Sequence, residues 1–245
     1  MYSVLLSAAI GLAFGFGGYA FGAWQLIWAI LFTLVLTIVS FVVLARRLSK
    51  RLQPMLMRVQ QQMEARMPDA AMQSLRDLLP HGKWMPLLEG QIYAQMGMLS
   101  YQLGKRDEAI ALLQKSSRRL PDGQIVLAVM QYGKGEKALA LQTLQLAGMV
   151  SKKHSLLHNV RAWLLAKENR TDEAIAVLGA FTKKNLTDET SKDNLLRLQN
   201  GKKMSMKSFG LIWYALGFET PPPEMGQMQQ ARKGFRTPPK QRGGG

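Results

Sequence analysis

No charged side chain occurs before Arg46, after which Arg46, Arg47, Lys50 and Arg51 arrive together. One bilayer crossing takes about 20 apolar residues, so the neutral run of positions 1–45 is long enough for two. A break near Gly22-Ala23 divides it into predicted helices at 3–21 and 24–45, a transmembrane hairpin. Ser7, Gly11, Gly15, Gly18 and Gly22 recur at steps of three and four, which puts them on one helix face. Small residues there let a neighbouring backbone approach closely. The stripe receives the second helix of the same hairpin, or else a second copy of the chain or another membrane subunit. A cleaved signal peptide is not expected, because no basic region precedes the apolar run. A re-entrant first segment at Phe14-Gly15-Phe16-Gly17-Gly18 is the alternative to a full first span. The cluster Arg46, Arg47, Lys50 and Arg51 keeps its side cytoplasmic by the positive-inside tendency. With two spans, both the N-terminus and the C-terminal domain are then cytoplasmic, as for a bacterial inner-membrane protein. Trp24 and Trp28 suit an interfacial belt at the opposite turn.

All charge, a net +16, lies after this run. The balance favours anionic partners: acidic lipid, nucleic acid or an acidic protein. The chain contains no cysteine, which excludes disulfides, thiolate metal sites and cysteine nucleophiles. Positions 46–59 read as a basic juxtamembrane linker. Beyond it apolar residues recur at helical spacing, without strand alternation, and breaks such as Pro80-His81-Gly82, Leu103-Gly104 and Glu168-Asn169-Arg170 mark off short antiparallel helices. The expected class is therefore all-α.

One phrase recurs. Gly104-Lys105-Arg106-Asp107-Glu108-Ala109-Ile110-Ala111-Leu112-Leu113 is echoed by Asn169-Arg170-Thr171-Asp172-Glu173-Ala174-Ile175-Ala176-Val177-Leu178. Weaker echoes begin at Gly133 and Pro68, with Ala138 and Ala71 at the shared small position. On these residues the chain resembles the tetratricopeptide repeat family: with Ala109 at the small position, Tyr93, Met96 and Gly97 fall on the first-helix signature, Leu113 on the second-helix large position and Pro121 on the closing proline. Ala71, Ala109, Ala138 and Ala174 are spaced by 38, 29 and 36 residues, so the repeats are irregular. Ser116, His158 and Arg161 depart from the family pattern. The resemblance implies a repeat solenoid over 60–200, whose units must stack to bury their apolar faces. It also implies a concave groove lined by first helices, at Gln91, Met98, Tyr101 and Gln102 in one unit and Asn159, Trp163 and Lys167 in another. Trp163 and Tyr101 are its expected anchors, since buried aromatics carry much binding energy. Positions 201–218 read as a capping helix or an interfacial one, and 219–245 as a disordered Pro/Gly/basic tail.

No catalytic constellation emerges. Asp107-Glu108 and Asp172-Glu173 sit at helix starts, where negative charge suits the dipole. His154 and His158 share a helix face but lack a third ligand, so no metal site is expected, and no cofactor motif is present. The many methionines of the first half are core filling or a pliable groove. The expected function is a membrane-tethered protein–protein interaction scaffold that presents its groove at the cytoplasmic side; it is not an enzyme. The alternative is an accessory subunit of a larger inner-membrane complex, with other membrane subunits as partners. A third reading, nucleic acid or ribosome binding, is disfavoured because aromatics are not interleaved with the basic pairs. Anionic lipid is expected at Arg46, Arg47, Lys50 and Arg51, and at Arg232, Lys233 and Arg236 of the tail.

Overall fold

A computed structural model describes residues 2–20, 26–85 and 87–222. Gly22, Trp24 and the tail residues Arg232, Lys233 and Arg236 lie outside the described residues. The described chain is helical without strands, and it falls into two compact units, 1–152 and 153–245.

The first unit opens with α1 (Tyr2–Ala20), packed on α2 (Leu26–Glu64). At 1.5 Å per residue the 19 residues of α1 extend about 28 Å. The segment Ile27–Glu64 is long and apolar enough to cross a membrane, and it is exposed along its apolar half. Gly11 explains how α1 and α2 come close: a Cβ there would overlap the Thr37 side chain and lie 2.8 Å from the Thr33 carbonyl oxygen. Ser7, one turn earlier, is buried, and Gly15 and Gly18 follow on the same helix. At Gly11 the small-residue stripe therefore receives the chain's own second helix.

The expected linker at 46–59 is not a separate segment. Helix α2 continues through it and through Pro54, with no break before Glu64. Leu52 and Val59 are buried in one cluster with Leu75 and Leu78 of α3 (Pro68–Gly82) and with Ile92 and Met96 of α4 (Leu88–Gln102). The polar half of α2 is thus the first helix of the first repeat. Sequence patterning pointed to a linker because the basic side chains crowd one stretch, yet buried residues at 52 and 59 alternate with them at helical spacing.

Three more pairs follow: α4 with α5 (Arg106–Gln114), α6 (Pro121–Gly133) with α7 (Lys137–Val150), and, in the second unit, α8 (Ser155–Lys167) with α9 (Thr171–Thr182). All four pairs turn the same way. Arg66, Gly104, Gly135 and Asn169 adopt positive φ of 57°, 76°, 86° and 60°. The next residue's N–H reaches back to a carbonyl five positions earlier: Met67 to Gln62, Lys105 to Ser100, Glu136 to Gln131 and Arg170 to Leu165. This left-handed closure satisfies carbonyls that the helix end leaves open.

Five residues after each such position stands a fully buried alanine, Ala71, Ala109, Ala140 or Ala174. One turn further on stands a buried leucine, Leu75, Leu113, Leu144 or Leu178. Seven residues before each positive-φ position stand Val59, Gly97, Ala128 and Ala162, all buried. This is the helix-pair arrangement that the repeat resemblance implies, with one correction. Ala138, aligned with the small position in the sequence, is exposed, and Ala140 occupies that position. The turn residue that sets the phase is Gly135, not Gly133, so the small residues are spaced by 38, 31 and 34.

In the second unit α10 (Glu189–Gln199) packs on α8 and α9. A 3-10 turn at Lys207–Phe209 leads into the short α11 (Leu211–Ala215). Met206, Trp213 and Leu216 are buried there, whereas Leu211 and Ile212 are exposed.

Candidate functional site

The predicted groove positions do not form one open surface. On α4, Gln91 and Gln102 are exposed and Met98 and Tyr101 are half-buried, so these four offer a mixed polar and apolar face in the first unit. Elsewhere on α4, Gly97 lets α5 approach closely. A Cβ at Gly97 would stand 2.5 Å from Leu113 Cγ, and the buried Met96 and Leu113 fill the space around that approach.

The second set behaves differently. Asn159 is fully buried and lines no groove. Its Nδ2 donates to Ser191 Oγ at 2.6 Å and to the Ser155 carbonyl at 3.0 Å, and its Oδ1 accepts from Asn194 Nδ2 at 2.9 Å. Asn194 Oδ1 in turn accepts from the Ser205 N–H at 2.7 Å. The network ties α8 to α10 and to the segment that follows, which is why a polar residue survives at an interior position.

Trp163 is covered from within the chain. Trp213 meets it edge to face with ring centroids 5.0 Å apart, and Phe218 lies at 4.7 Å. Lys167 Nζ stands 4.8 Å over the Trp163 ring and 5.8 Å from the Phe218 ring. The Trp213 indole N–H donates to Glu219 at 2.8 Å, which holds the covering segment in register. Asn159 thus serves the internal packing of the second unit, while Trp163 is half-buried against Trp213 and Phe218 and Lys167 remains exposed.

The sequence reading missed a cleft of about 270 Å3 across α5, α6 and α7. Gln124 and Gln131 form much of its polar floor, with Arg118 and Gln142 at its walls. Gln124 Nε2 donates to Ser116 Oγ at 2.9 Å, and Thr143 Oγ1 donates to Gln131 at 2.9 Å. Ser116 also donates to the Leu113 carbonyl at 2.6 Å. The signal available in the sequence was the recurrence of glutamine at 114, 124, 131 and 142, spread over three helices.

The histidines have local partners. His154 caps α8, its Nδ1 accepting from the Leu157 N–H at 3.3 Å, and His158 stacks on Phe181 at 4.5 Å. The paired carboxylates form ion pairs at the helix starts: Asp107 with Lys134 at 2.5 Å, Glu173 with Arg170 at 2.6 Å. The hydrogen bond from Lys134, and then its charge, holds the Asp107 carboxyl below the usual carboxylate range. Arg46, Arg47, Lys50 and Arg51 are exposed on α2.

No protein-family model matches this sequence, and a comparison with curated proteins gave no match. Solved structures of the protein MamA show some similarity. One covers 71% of this chain and 95% of that chain, at 15% identity and a TM-score of 0.46. A MamA double mutant covers 73% of this chain and 96% of that chain, at 12% identity and a TM-score of 0.45. These values describe a loose likeness between helical chains and assign neither a partner nor an activity.

Proposed function

We propose that the protein is a membrane-tethered adaptor that holds a protein partner on its helix pairs beside the cytoplasmic face of an inner membrane, without a catalytic centre. The observation that carries this reading is the continuity of α2. Its first half is apolar and exposed, and its second half packs on the first repeat through Leu52 and Val59. A membrane-length helix and an interaction module are thus one rigid element, as a scaffold that presents a surface at fixed height above a bilayer requires. The face offered is that of α4, at Gln91, Met98, Tyr101 and Gln102, with Tyr101 as its aromatic anchor.

Full-length protein solubilised in detergent is expected to co-purify a partner identifiable by mass spectrometry. The double variant Met98→Ala, Tyr101→Ala is expected to lose it while retaining the helical circular dichroism of the parent. Undiminished recovery with that variant removes the α4 face from the proposal. Recovery lost only on Gln142→Ala moves the site to the glutamine-lined cleft.

A further inference from the structure

We infer that the turn between α3 and α4, carrying Trp84 and Leu87, is a third membrane contact of this chain, seated in the headgroup layer beside the exit point of α2. The inference rests on the membrane reading above and adds a lipid-binding element within the repeat domain.

The argument is one of height. Gly11 faces Thr33 and Thr37, so the register of the antiparallel pair α1 and α2 is known at that level. Counting back along α1 from Gly11 to Tyr2 brings Tyr2 level with about residues 44–46 of α2, at 1.5 Å rise per residue on both helices. Arg46 is the first charge of the chain, so this level is where the apolar slab ends. The turn is fastened to that level. The Tyr2 N–H donates to the Lys83 carbonyl at 3.1 Å, and Ser3 Oγ donates to the Trp84 carbonyl. The Tyr2 and Trp84 rings meet edge to face at 5.6 Å. The first of these bonds also satisfies a backbone donor left open at the start of α1.

What the turn exposes fits that place. Trp84 is 42% exposed and Leu87 49%. Tyr2 is 51% exposed beside them. Tyrosine and tryptophan with one face free are the residues that settle at headgroup level. Arg46, Arg47, Lys50 and Arg51, exposed on the neighbouring stretch of α2, complement an anionic leaflet at the same height. The occupant of the patch is therefore the boundary between headgroups and acyl chains, and the repeat domain is braced against the bilayer at two points rather than hanging from one helix.

The absence of cysteine permits a direct test on the full-length chain. Leu87→Cys, Val35→Cys and Leu139→Cys are each labelled with an environment-sensitive fluorophore. Each protein is then placed in nanodiscs of phosphatidylethanolamine and phosphatidylglycerol, with lipids brominated either near the glycerol or near the chain centre. Val35 lies exposed within the apolar half of α2, and Leu139 is exposed on α7. The label at 87 is expected to lose most of its emission to the shallow quencher and little to the deep one. The label at 35 should respond to the deep quencher, and the label at 139 to neither. A label at 87 that behaves like 139 while 35 is quenched overturns the bracing contact, leaves the anchor intact and assigns the patch to water or a protein. A label at 35 that is not quenched overturns the membrane reading and this inference together.

Discussion

At the scale of single residues, the helix pairs depend on a few small side chains. Gly97 has no room for a Cβ against Leu113, so Gly97→Val forces the pair α4 and α5 apart. Overpacking of this kind costs about 1–3 kcal/mol, and the expected outcome is a lower urea midpoint by far-UV circular dichroism. Gly179 is the opposite case: it lies inside α9, and a Cβ there meets nothing within 4 Å. Gly179→Ala should stabilise by about 0.5–1 kcal/mol, because it narrows the unfolded ensemble without a clash. Asn159→Ala leaves Asn194 and Ser191 without their shared partner inside the second unit. Stranding buried polar groups costs about 1–3 kcal/mol, and the same titration measures it. A surface groove residue would show almost no effect, so this variant separates interior from groove for Asn159.

At the scale of elements, the recurring left-handed turn aligns each pair, and the C-terminal segment completes the second unit. Trp213 is fully buried on Trp163 and Phe218, so Trp213→Ala should cost about 3–5 kcal/mol. Ending the chain after Thr220 keeps Trp213, Phe218 and Glu219 and should leave the melting temperature unchanged. Ending it after Lys203 should lower it markedly. The pair between Asp107 of α5 and Lys134 after α6 carries a pH signature. Lys134 keeps Asp107 ionised to lower pH in the folded chain than in the unfolded one. Its contribution is therefore present above the ordinary carboxylate range and is lost as pH falls through the depressed value. In Lys134→Met an NMR titration of the Asp107 carboxyl carbon should return to the ordinary range; no change would dismiss the pair.

At the scale of the whole molecule, the consequence of a continuous α2 is mechanical. A flexible linker would let the repeats diffuse over a hemisphere above the bilayer. Helix α2, packed in the repeat core through Leu52 and Val59, instead joins its apolar half to the first helix pair without a break, the coupling that the proposed tether requires. Inserting Gly-Ser-Gly after Arg51 should break that coupling, shift Leu52 and Val59 out of register and lower stability, whereas a true linker would absorb it silently. Urea titration of the insertion variant in detergent distinguishes the two.

Local pattern alone determined the helical class, the neutral run ending at Arg46 and the phrase shared by Ala109 and Ala174, because hydrophobic period, charge placement and turn residues act over a few positions. The small residues Gly97 and Ala109 were legible through the repeat resemblance, whereas the structure sets Gly97 against Leu113. Tertiary structure decided what depends on distant partners. Gly133 and Gly135 are equivalent on paper, and only the turn that closes at Gly135 shows that Ala140 rather than Ala138 is buried. Positions 46–59 read as a linker until α3 and α4 cover Leu52 and Val59. Asn159 and Trp163 pass for groove residues until Ser191, Asn194 and Trp213 arrive from later in the chain. Burial is a property of pairs of surfaces, and a helix period reports only one of the two.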